Sequence, residues 1–477
     1  MTADPRHPPS VARFAGLSGH AGHRSDFFAW LAPDHPFQHS LRPLGEAIAQ
    51  DSAAQALLHA GRRSDTLLQI HVELQAGRLP NGLWMPAYCS WSAQLQDPSA
   101  RLGLRTRTLS WHGTGAERTP QWHELPQDPR LSQAQTWFDR HATLGRTRVL
   151  RYVPQRRITF AWQDEQGQAL IGRFMRRSRH GAVQRLLARI STLVELGRPG
   201  FAVAQPGPVE PDAGLYFQTQ LNGIDLASWL APSTSARGPA LARELAQCRG
   251  AMAHVGRLHA RLHALPVNLP QLPVATDLAE RLAAARAHLA FIGVMQPGYS
   301  QTLGSIDARL QRLPAWHDSQ ARLCHGDLMC SQFLVDGLGP LNLQDAVSGP
   351  GALSRAIPTD PDCWSVTDFD HCHLGDPCRD LALLLASLAH DLPGLAELDR
   401  SQPERVDRWL AEVCPAYLQA YVAETGAALA QDRLIWHSLC AELHFLALML
   451  RRDTFHPAAF ERRLRHAQAL CSARSWV

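Results

Sequence analysis

Between Arg148 and Gln220 the chain has the period-two pattern of short β-strands, and after Gly223 it changes to the period of α-helices. This change constrains the fold of the 477 residues more than any other feature, because the two periods bury different faces of the chain. The strand-like part predicts three strands, a helix with an apolar face, and two more strands: Arg148–Tyr152, Ile158–Trp162, Ala169–Met175, the helix around Val183–Val194, Phe201–Pro208 and Leu215–Gln220. The sequence therefore predicts an α+β fold.

The chain beyond Gly223 is mainly helical in its pattern. Helices are predicted at Leu226–Leu230, Leu241–Leu265, Asp277–Ile292 and Leu303–Leu313, and over most of the chain after Pro377. Strands are predicted only around Gln332–Asp336 and Ser365–Phe369. Since Gln218–Leu221 joins the β-rich part to the helical part, we expect two lobes with a cleft between them, the usual place for a small ligand.

The first 144 residues have a different character. They are rich in Pro, Gly, Trp and His and show weak periodicity, with helices predicted at Pro43–Gln50 and Ala53–Leu74 and a strand at Leu102–Leu109. No chemistry is assigned to this region. We therefore divide the chain into an N-terminal extension of unknown role (1–144), a β-rich N-lobe (145–221) and a helical C-lobe (222–477).

Composition excludes several classes of protein. A net charge of +4 does not favour a nucleic-acid-binding protein. Met1–Ser10 lacks the apolar run of a secretory signal. Leu434–Leu450 is interrupted by His437, Glu442 and His444 and is predicted to be a core helix rather than a membrane span. The ten cysteines contain no C-x-x-C pair and are interpreted as reduced, buried thiols. We expect a cytoplasmic protein; the sequence does not indicate its oligomeric state.

One segment, Leu323–Asp336, reads LCHGDLMCSQFLVD. Phosphoryl transfer needs a carboxylate that orients the acceptor hydroxyl and oxygen ligands that hold Mg²⁺ against the phosphates. Asp327 lies in a short loop, and Gln332 follows five residues later, directly before an apolar strand. This spacing lets one loop present a base and a metal-binding amide to the same cleft.

A second segment, Val366–Ala382, reads VTDFDHCHLGDPCRDLA. Asp368 closes a predicted strand and can supply an anionic metal ligand. Asp370, two residues later, can reach the same ion or a water bound to it. Asp376 precedes a proline, which is the arrangement of a helix N-cap followed by proline at the first helical position.

Taken in order, HGDL, DFD and GDPxxDLA resemble the signature of the aminoglycoside phosphotransferase and choline kinase family, whose fold is protein-kinase-like. The resemblance extends from about Arg146 to the C-terminus. Val255–Leu265 is similar to the family's L-H-x-L helix, Gln220–Leu226 to its hinge-to-helix passage, and Tyr152–Arg157 to a Y-K-P-G-R-R turn. The resemblance implies a bilobal phosphotransferase that uses ATP and Mg²⁺ and acts on a hydroxyl group of a small molecule.

The resemblance also implies roles for individual residues. Asp327 would be the catalytic base, and His325 would support its loop. Gln332 and Asp368 would be the metal ligands, with Asp370 beside them.

Other residues would serve the nucleotide and the loop. Asp380 would hydrogen-bond the backbone of the catalytic loop. The side chains expected on the nucleotide are Arg173, Arg156, Arg157, Gln218 and Gln220.

The nucleotide side departs from the family's pattern. The chain has no lysine, so Arg173 stands at the position of the family's ATP-contacting lysine. The helix that follows offers only Glu195 as an acidic partner, near its end. Gln332 replaces the usual asparagine, and the turn Val153–Arg157 has no glycine to wrap a phosphate.

These departures support an alternative interpretation: a pseudokinase that binds nucleotide or a protein partner without phosphoryl transfer. The presence of both Asp327 and Asp368 favours catalysis instead, because transfer depends mainly on positioning and metal charge. The acceptor stays open among sugars, aminoglycoside-like molecules and amino alcohols. Asp391–Val477 has acidic and arginine residues in near balance, and Gly337–Asp362 is interpreted as a surface insertion.

His259 and His263 form an H-x-x-x-H pair on a predicted helix. A zinc protease would have a glutamate after the first histidine, but Ala260 stands there. The sequence alone therefore favours a structural role for this pair.

Overall fold

The computed structural model describes residues 36–63, 68–78, 84–97, 99–112, 121–231, 236–266, 278–312, 321–336, 363–392, 401–452 and 455–473, with 272, 314, 358, 360 and 398. The strands are Leu68–Arg78 (β1), Trp84–Gln96 (β2), Leu104–His112 (β3), Gln121–His123 (β4), Thr147–Val153 (β5), Arg157–Gln163 (β6), Ala169–Met175 (β7), Ala202–Val203 (β8), Pro206–Glu210 (β9), Leu215–Thr219 (β10), Ile224–Asp225 (β11), Arg322–Cys324 (β12), Phe333–Val335 (β13), Trp364–Val366 (β14) and His373–Gly375 (β15). The helices are Pro36–Gln50 (α1), Ser52–Arg63 (α2), Gln133–His141 (α3), Arg177–Gly197 (α4), Leu226–Leu230 (α5), Gly238–His263 (α6), Leu278–Met295 (α7), Ser300–Leu310 (α8), Pro377–Asp391 (α9), Pro403–Thr425 (α10), Gln431–Arg451 (α11) and Pro457–Ser472 (α12).

This mixture of sheets and helices confirms the predicted α+β class. The interpretations of Met1–Ser10 and of nearly all of Gly337–Asp362 concern residues outside the described ranges.

The predicted three-strand meander is present as β5, β6 and β7, and the sheet continues through β10 to β9 with antiparallel pairing. The predicted strand Phe201–Pro208 is wrong in its extent. Its first part, β8, leaves this sheet and pairs in parallel with β14. The reason is burial: Phe201 and Val203 belong to the core of the helical region, so their backbone follows that core.

Aromatic side chains form the core of the five-stranded sheet. Trp137 of α3 lies in the centre of this core, with ring centroids 5.1–5.9 Å from those of four aromatic residues on the strands. Its indole N–H donates to Glu210 at 2.9 Å, which satisfies the buried polar atom. Helix α3 precedes the segment that the sequence assigned to the N-lobe, yet it closes the lobe's sheet.

The helical region has its own core, formed by α5, α6, α9 and α10 together with short strands. The helices predicted from the apolar periodicity are present as α5 to α8. The β12–β15 pair was not predicted, because strands of three residues leave too short a pattern to recognise.

The N-terminal region contains a four-stranded antiparallel sheet, ordered β1-β2-β3-β4. The predicted helix Ala53–Leu74 is present over Ala53–Arg63 and is wrong over Leu68–Leu74, which belongs to β1. In this part of the sequence apolar residues alternate with polar ones, at Leu68, Ile70, Val72 and Leu74. This is the pattern of a strand, but it follows the helical pattern directly and was included in the predicted helix.

Apolar residues of α1, α2 and β1–β3 share one core with α7, α8, α11 and α12. Leu102 and Leu104 belong instead to the core of the five-stranded sheet. The N-terminal region therefore packs against both the β-rich and the helical parts of the chain.

Helix α11 is long and apolar enough to cross a membrane by length and composition alone. In this structure 83% of its most apolar window is buried within the protein. It also contains the fully buried carboxylate of Glu442, which accepts from Arg463 Nη1 at 2.7 Å. Helix α11 is thus a core helix, as the sequence predicted.

The Glu442–Arg463 pair makes stability depend on pH. Burial alone would raise the pKa of Glu442, but the Arg463 guanidinium lowers it to about 2. In the folded protein the pKa of Glu442 lies below its unfolded value of about 4.3. The pair therefore contributes its full stabilisation of the folded state above about pH 4.3, and this contribution is lost as pH falls towards 2.

Replacing Glu442→Gln leaves the Arg463 charge buried and should lower the free energy of unfolding by about 3 kcal/mol at pH 7. The deficit should shrink as pH falls below about 4. Urea denaturation at several pH values measures it, and Glu461→Gln, an exposed glutamate on α12, is the control. An equal loss at pH 7 and pH 3 would contradict the assignment.

Candidate active site

The Asp380 carboxylate holds the loop that carries Asp327. It accepts from the backbone N–H of His325 at 2.5 Å and of Gly326 at 2.9 Å. Asp380 lies in the first turn of α9, which begins with Pro377 and is capped by Asp376, as the sequence predicted. Two donors on one fully buried carboxylate fix the direction in which the chain enters the loop.

Gly326 allows this loop to lie against the neighbouring segment. Its φ is +83°, a conformation that favours glycine. A Cβ at this position would collide with the backbone carbonyl of His371. Only glycine therefore permits this close approach between the loop and the segment that follows β14.

Further contacts join the two segments. His325 Nε2 lies 2.9 Å from the Thr367 carbonyl oxygen, and its ring centroid lies 4.6 Å from that of Phe369. Thr367 N–H donates to the Gln332 carbonyl oxygen at 2.9 Å. The structure thus brings the Asp327 loop and the Asp368 segment together, and both carboxylates are buried.

Gln332 is fully buried at the end of the loop. Its Oε1 accepts from Met329 N–H at 2.9 Å. Its Nε2 is buried with no hydrogen-bond partner among the residues that the structure describes. An amide oxygen has two lone pairs, so the bond to Met329 leaves one available for a cation.

Asp368 and Asp370 converge on Arg173. Arg173 Nη1 lies 2.7 Å from Asp368 Oδ1 and 3.0 Å from Asp370 Oδ1. Asp368 has φ +71° and ψ +44°, the left-handed region that few residues other than glycine adopt. This backbone conformation turns the Asp368 side chain into the cluster and is stabilised there by the ion pair.

Arg173 does not use an acidic partner on α4. Glu195, the acidic residue of that helix, is exposed, and the Arg173 side chain contacts Tyr216 Oη at 3.3 Å instead. Burial would lower the pKa of Arg173, but Tyr216 and the neighbouring Asp370 and Asp368 carboxylates keep it well above its usual value. Arg173 of β7 therefore pairs with the Asp368 and Asp370 carboxylates instead of with a glutamate on α4.

The two arginines of the β5–β6 turn face different partners. Arg157 Nη1 lies 3.3 Å from Asp370 Oδ2 and 3.6 Å from Asp368 Oδ1. Arg156 Nη2 lies 2.5 Å from Glu73 Oε1 on β1. Arg157 thus joins the carboxylate cluster, whereas Arg156 ties the turn to the N-terminal sheet.

The N-terminal region also fixes the backbone of this turn. Gln155 has φ +61°, and its N–H donates to Asp128 Oδ2 at 2.6 Å. Tyr152 Oη donates to the same oxygen at 2.8 Å. Sequence reasoning missed Asp128, Glu73 and Tyr216, because each acts across a long separation in the chain and none lies in a recognisable motif.

The two glutamines predicted on the nucleotide side occupy different environments. Gln218 lies on β10 and is buried, and its backbone is paired with Ile171 of β7. Gln220 is exposed just after β10. Both remain predictions.

The carboxylates fit a divalent cation. Because Asp368 and Asp370 both approach one nitrogen of Arg173, their oxygens surround a single position for positive charge. Carboxylate and amide oxygens are the ligands that Mg²⁺ prefers. Asp368, Asp370 and Gln332 are the residues that would hold such an ion.

Comparisons with solved structures give relatives of low identity. They include a thermostable mutant of the aminoglycoside phosphotransferase APH(4)-Ia (13% identity, 71% of this chain and 96% of that chain, TM-score 0.42) and a macrolide 2′-phosphotransferase from Brachybacterium faecium (18%, 72% and 97%, 0.39). A choline/ethanolamine kinase family protein from Mesorhizobium loti gives 16% identity over 69% of this chain and 89% of that chain, with a TM-score of 0.39. No curated protein matches the sequence significantly.

Residues 155–350 match the sequence model of the phosphotransferase enzyme family. The match contains Asp327 and Gln332 and ends before Asp368. It confirms, for residues 155–350, the resemblance to phosphotransferases that the motifs indicate.

Proposed function

We propose that this protein transfers the γ-phosphoryl group of ATP to a hydroxyl group of a small molecule, in a cleft between a β-rich N-lobe (145–221) and a helical C-lobe (222–477). One observation carries the proposal. Asp327 lies buried on a loop that is hydrogen-bonded to the Asp368 segment, so a base and an anionic ligand set share one site.

Asp327 acts as the general base in this proposal. Its carboxylate orients the acceptor hydroxyl and takes its proton as the bond to phosphorus forms. The Asp380 carboxylate fixes the loop through two backbone amides, so the base is positioned before the substrate arrives.

Arg173 and Arg157 supply positive charge on the nucleotide side. Arg173 Nε is buried with no hydrogen-bond partner among the described residues, so it can donate to a phosphate oxygen. A guanidinium binds phosphate with two parallel donors, and lysine would bind it as a point charge. When Mg²⁺ is bound by Asp368, Asp370 and Gln332, it neutralises charge on the phosphates.

The acceptor is a hydroxylated small molecule, which we leave among sugars, aminoglycoside-like compounds and amino alcohols. A pseudokinase is the alternative. Two features favour it, the glycine-free turn and the ion pairs that Arg173 and Arg157 make with Asp368 and Asp370. Turnover decides between the two.

The first test is ADP release from ATP and Mg²⁺ with a panel of aminoglycosides, macrolides, sugars and amino alcohols. We expect one class to stimulate release and Asp327→Asn to reduce kcat by about 100-fold or more, because an amide cannot accept the proton. Asp212→Asn, which changes an exposed aspartate in the N-lobe, is the control and should retain activity. Binding of ATP without turnover by any acceptor would favour the pseudokinase.

The second test concerns Arg173. Arg173→Met removes the arginine contacts at 2.7 Å to Asp368 and 3.0 Å to Asp370, so the free energy of unfolding should fall by about 3 kcal/mol, whereas Arg173→Lys keeps the charge and should lose less. Arg148→Met, an exposed arginine on the same sheet, is the control. Urea denaturation without Mg²⁺ measures the difference. Equal losses for the Met and Lys variants would contradict the role of charge.

A further inference from the structure

A second cluster of metal-ligating side chains lies behind the catalytic loop. His259 and His263 lie one turn apart on α6, and Asp380 lies on α9. Their nearest ligand atoms all lie within 4.8 Å of one another, and all three side chains are buried. The sequence contained only the H-x-x-x-H pair, because Asp380 is more than a hundred residues away along the chain and reaches the histidines only in the fold.

Two of the distances between the ligand atoms are close to those of a metal site. Asp380 Oδ2 lies 3.7 Å from His259 Nε2 and 3.5 Å from His263 Nε2. Bonds of about 2.0–2.1 Å to a tetrahedral zinc ion place neighbouring ligands about 3.3–3.4 Å apart. The two distances between histidine and carboxylate therefore exceed that separation by only a few tenths of an ångström.

The opposite ring nitrogens already have partners of the kind found around metal-bound histidines. His259 Nδ1 lies 2.5 Å from Tyr417 Oη, and His263 Nδ1 lies 2.8 Å from Tyr421 Oη. An imidazole that donates from Nδ1 to an outer oxygen presents the Nε2 lone pair to a metal, and such partners orient the ligand. The two histidines are four residues apart on α6, and the two tyrosines are four residues apart on α10. The two histidine–tyrosine pairs therefore repeat the same contact one helical turn apart.

The inner nitrogens lack partners. His259 Nε2 and His263 Nε2 are both buried without a hydrogen-bond partner among the described residues. Within that part of the chain, no arginine nitrogen lies within 4.0 Å of the Asp380 carboxylate, although Asp380 is fully buried. Two imidazole nitrogens and one carboxylate oxygen thus face a common point.

We propose that His259, His263 and Asp380 bind a divalent transition-metal ion, Zn²⁺ by ligand type, with a water in the fourth position. Two imidazoles and one carboxylate select zinc over Mg²⁺, which prefers oxygen ligands and water. This site is separate from the carboxylates that face the nucleotide, and it does not depend on the proposed transfer reaction.

The position of the site gives it a structural effect. Asp380 Oδ2 accepts from the backbone N–H of His325, and Oδ1 accepts from Gly326. An ion on Asp380 would orient the carboxylate that holds the Asp327 loop. We therefore expect metal occupancy to stabilise the fold around the catalytic loop as well as the packing of α6 on α10.

The first experiment measures metal content. The full chain, purified without a metal-affinity tag, is loaded with Zn²⁺ in excess Mg²⁺, passed over a desalting column and analysed by mass spectrometry for metals. We expect close to one Zn²⁺ per chain, lost in His259→Gln and in His263→Gln. The control is His254→Gln, which changes a buried histidine on the same helix outside the cluster and should keep the ion.

A second variant protects the test against a folding defect. Tyr417→Phe keeps all three ligands and most of the packing but removes the oxygen at His259 Nδ1, so Zn²⁺ should bind at least about tenfold more weakly. Competition with a chromophoric chelator measures the affinity, and circular dichroism checks the fold. Absence of bound Zn²⁺ in the wild type, or equal zinc content and affinity in wild type, His259→Gln and Tyr417→Phe, overturns the proposal and leaves the histidines as core residues.

Discussion

The hydrogen bonds from the backbone of the Asp327 loop to Asp380 are the interaction on which the candidate site depends. A carboxylate in the first turn of α9 holds two successive amides, and that contact sets the path of the loop before Asp327 is reached. A charged acceptor makes such bonds stronger than neutral ones, and burial makes an unpaired partner costly. The same carboxylate faces two histidines of α6, so the loop, α6 and α9 meet at one residue.

Arginine supplies the positive charge beside the DFD segment, because the chain contains no lysine. The Arg173 nitrogen reaches both aspartates of the DFD segment, and Arg157 approaches them from the turn between β5 and β6. A lysine ammonium is a compact point charge, whereas a guanidinium presents several donors in one plane. Arg173 can therefore remain paired with the carboxylates while its Nε stays available, and this arrangement does not need a glutamate on α4.

The sequence predicted those parts of the protein that depend on local pattern. The β5–β7 meander, α4 and the helices from α5 to α8 follow from periodicity, and the cap by Asp376 follows from its place before Pro377. The same reasoning failed where tertiary contacts decide the outcome. Strand β8 joins the sheet of the helical region because Phe201 and Val203 are buried there. The predicted helix Ala53–Leu74 failed in its last part, because Leu68–Leu74 pairs in the N-terminal sheet as β1.

Long-range contacts also explain what could not be predicted about the site. The residues Asp327, Asp368 and Asp380 lie in recognisable motifs, so their neighbourhood was expected, although their roles in transfer remain predictions. Nothing in the sequence pairs Arg156 with Glu73, or Gln155 with Asp128, because these partners come from the region that lies outside the motifs.

These contacts give the N-terminal region a physical role. A glycine-rich turn over phosphates adapts because its backbone is free, but Val153–Arg157 has no glycine and holds Gln155 at a positive φ. That conformation costs free energy in an isolated turn, and the bonds from Asp128 to the turn and the ion pair from Glu73 offset the cost. The N-terminal region therefore fixes the shape of the turn. Because α1, α2 and β1–β3 of that region share a core with α7, α8, α11 and α12, the position of the turn is connected to the helical part of the protein.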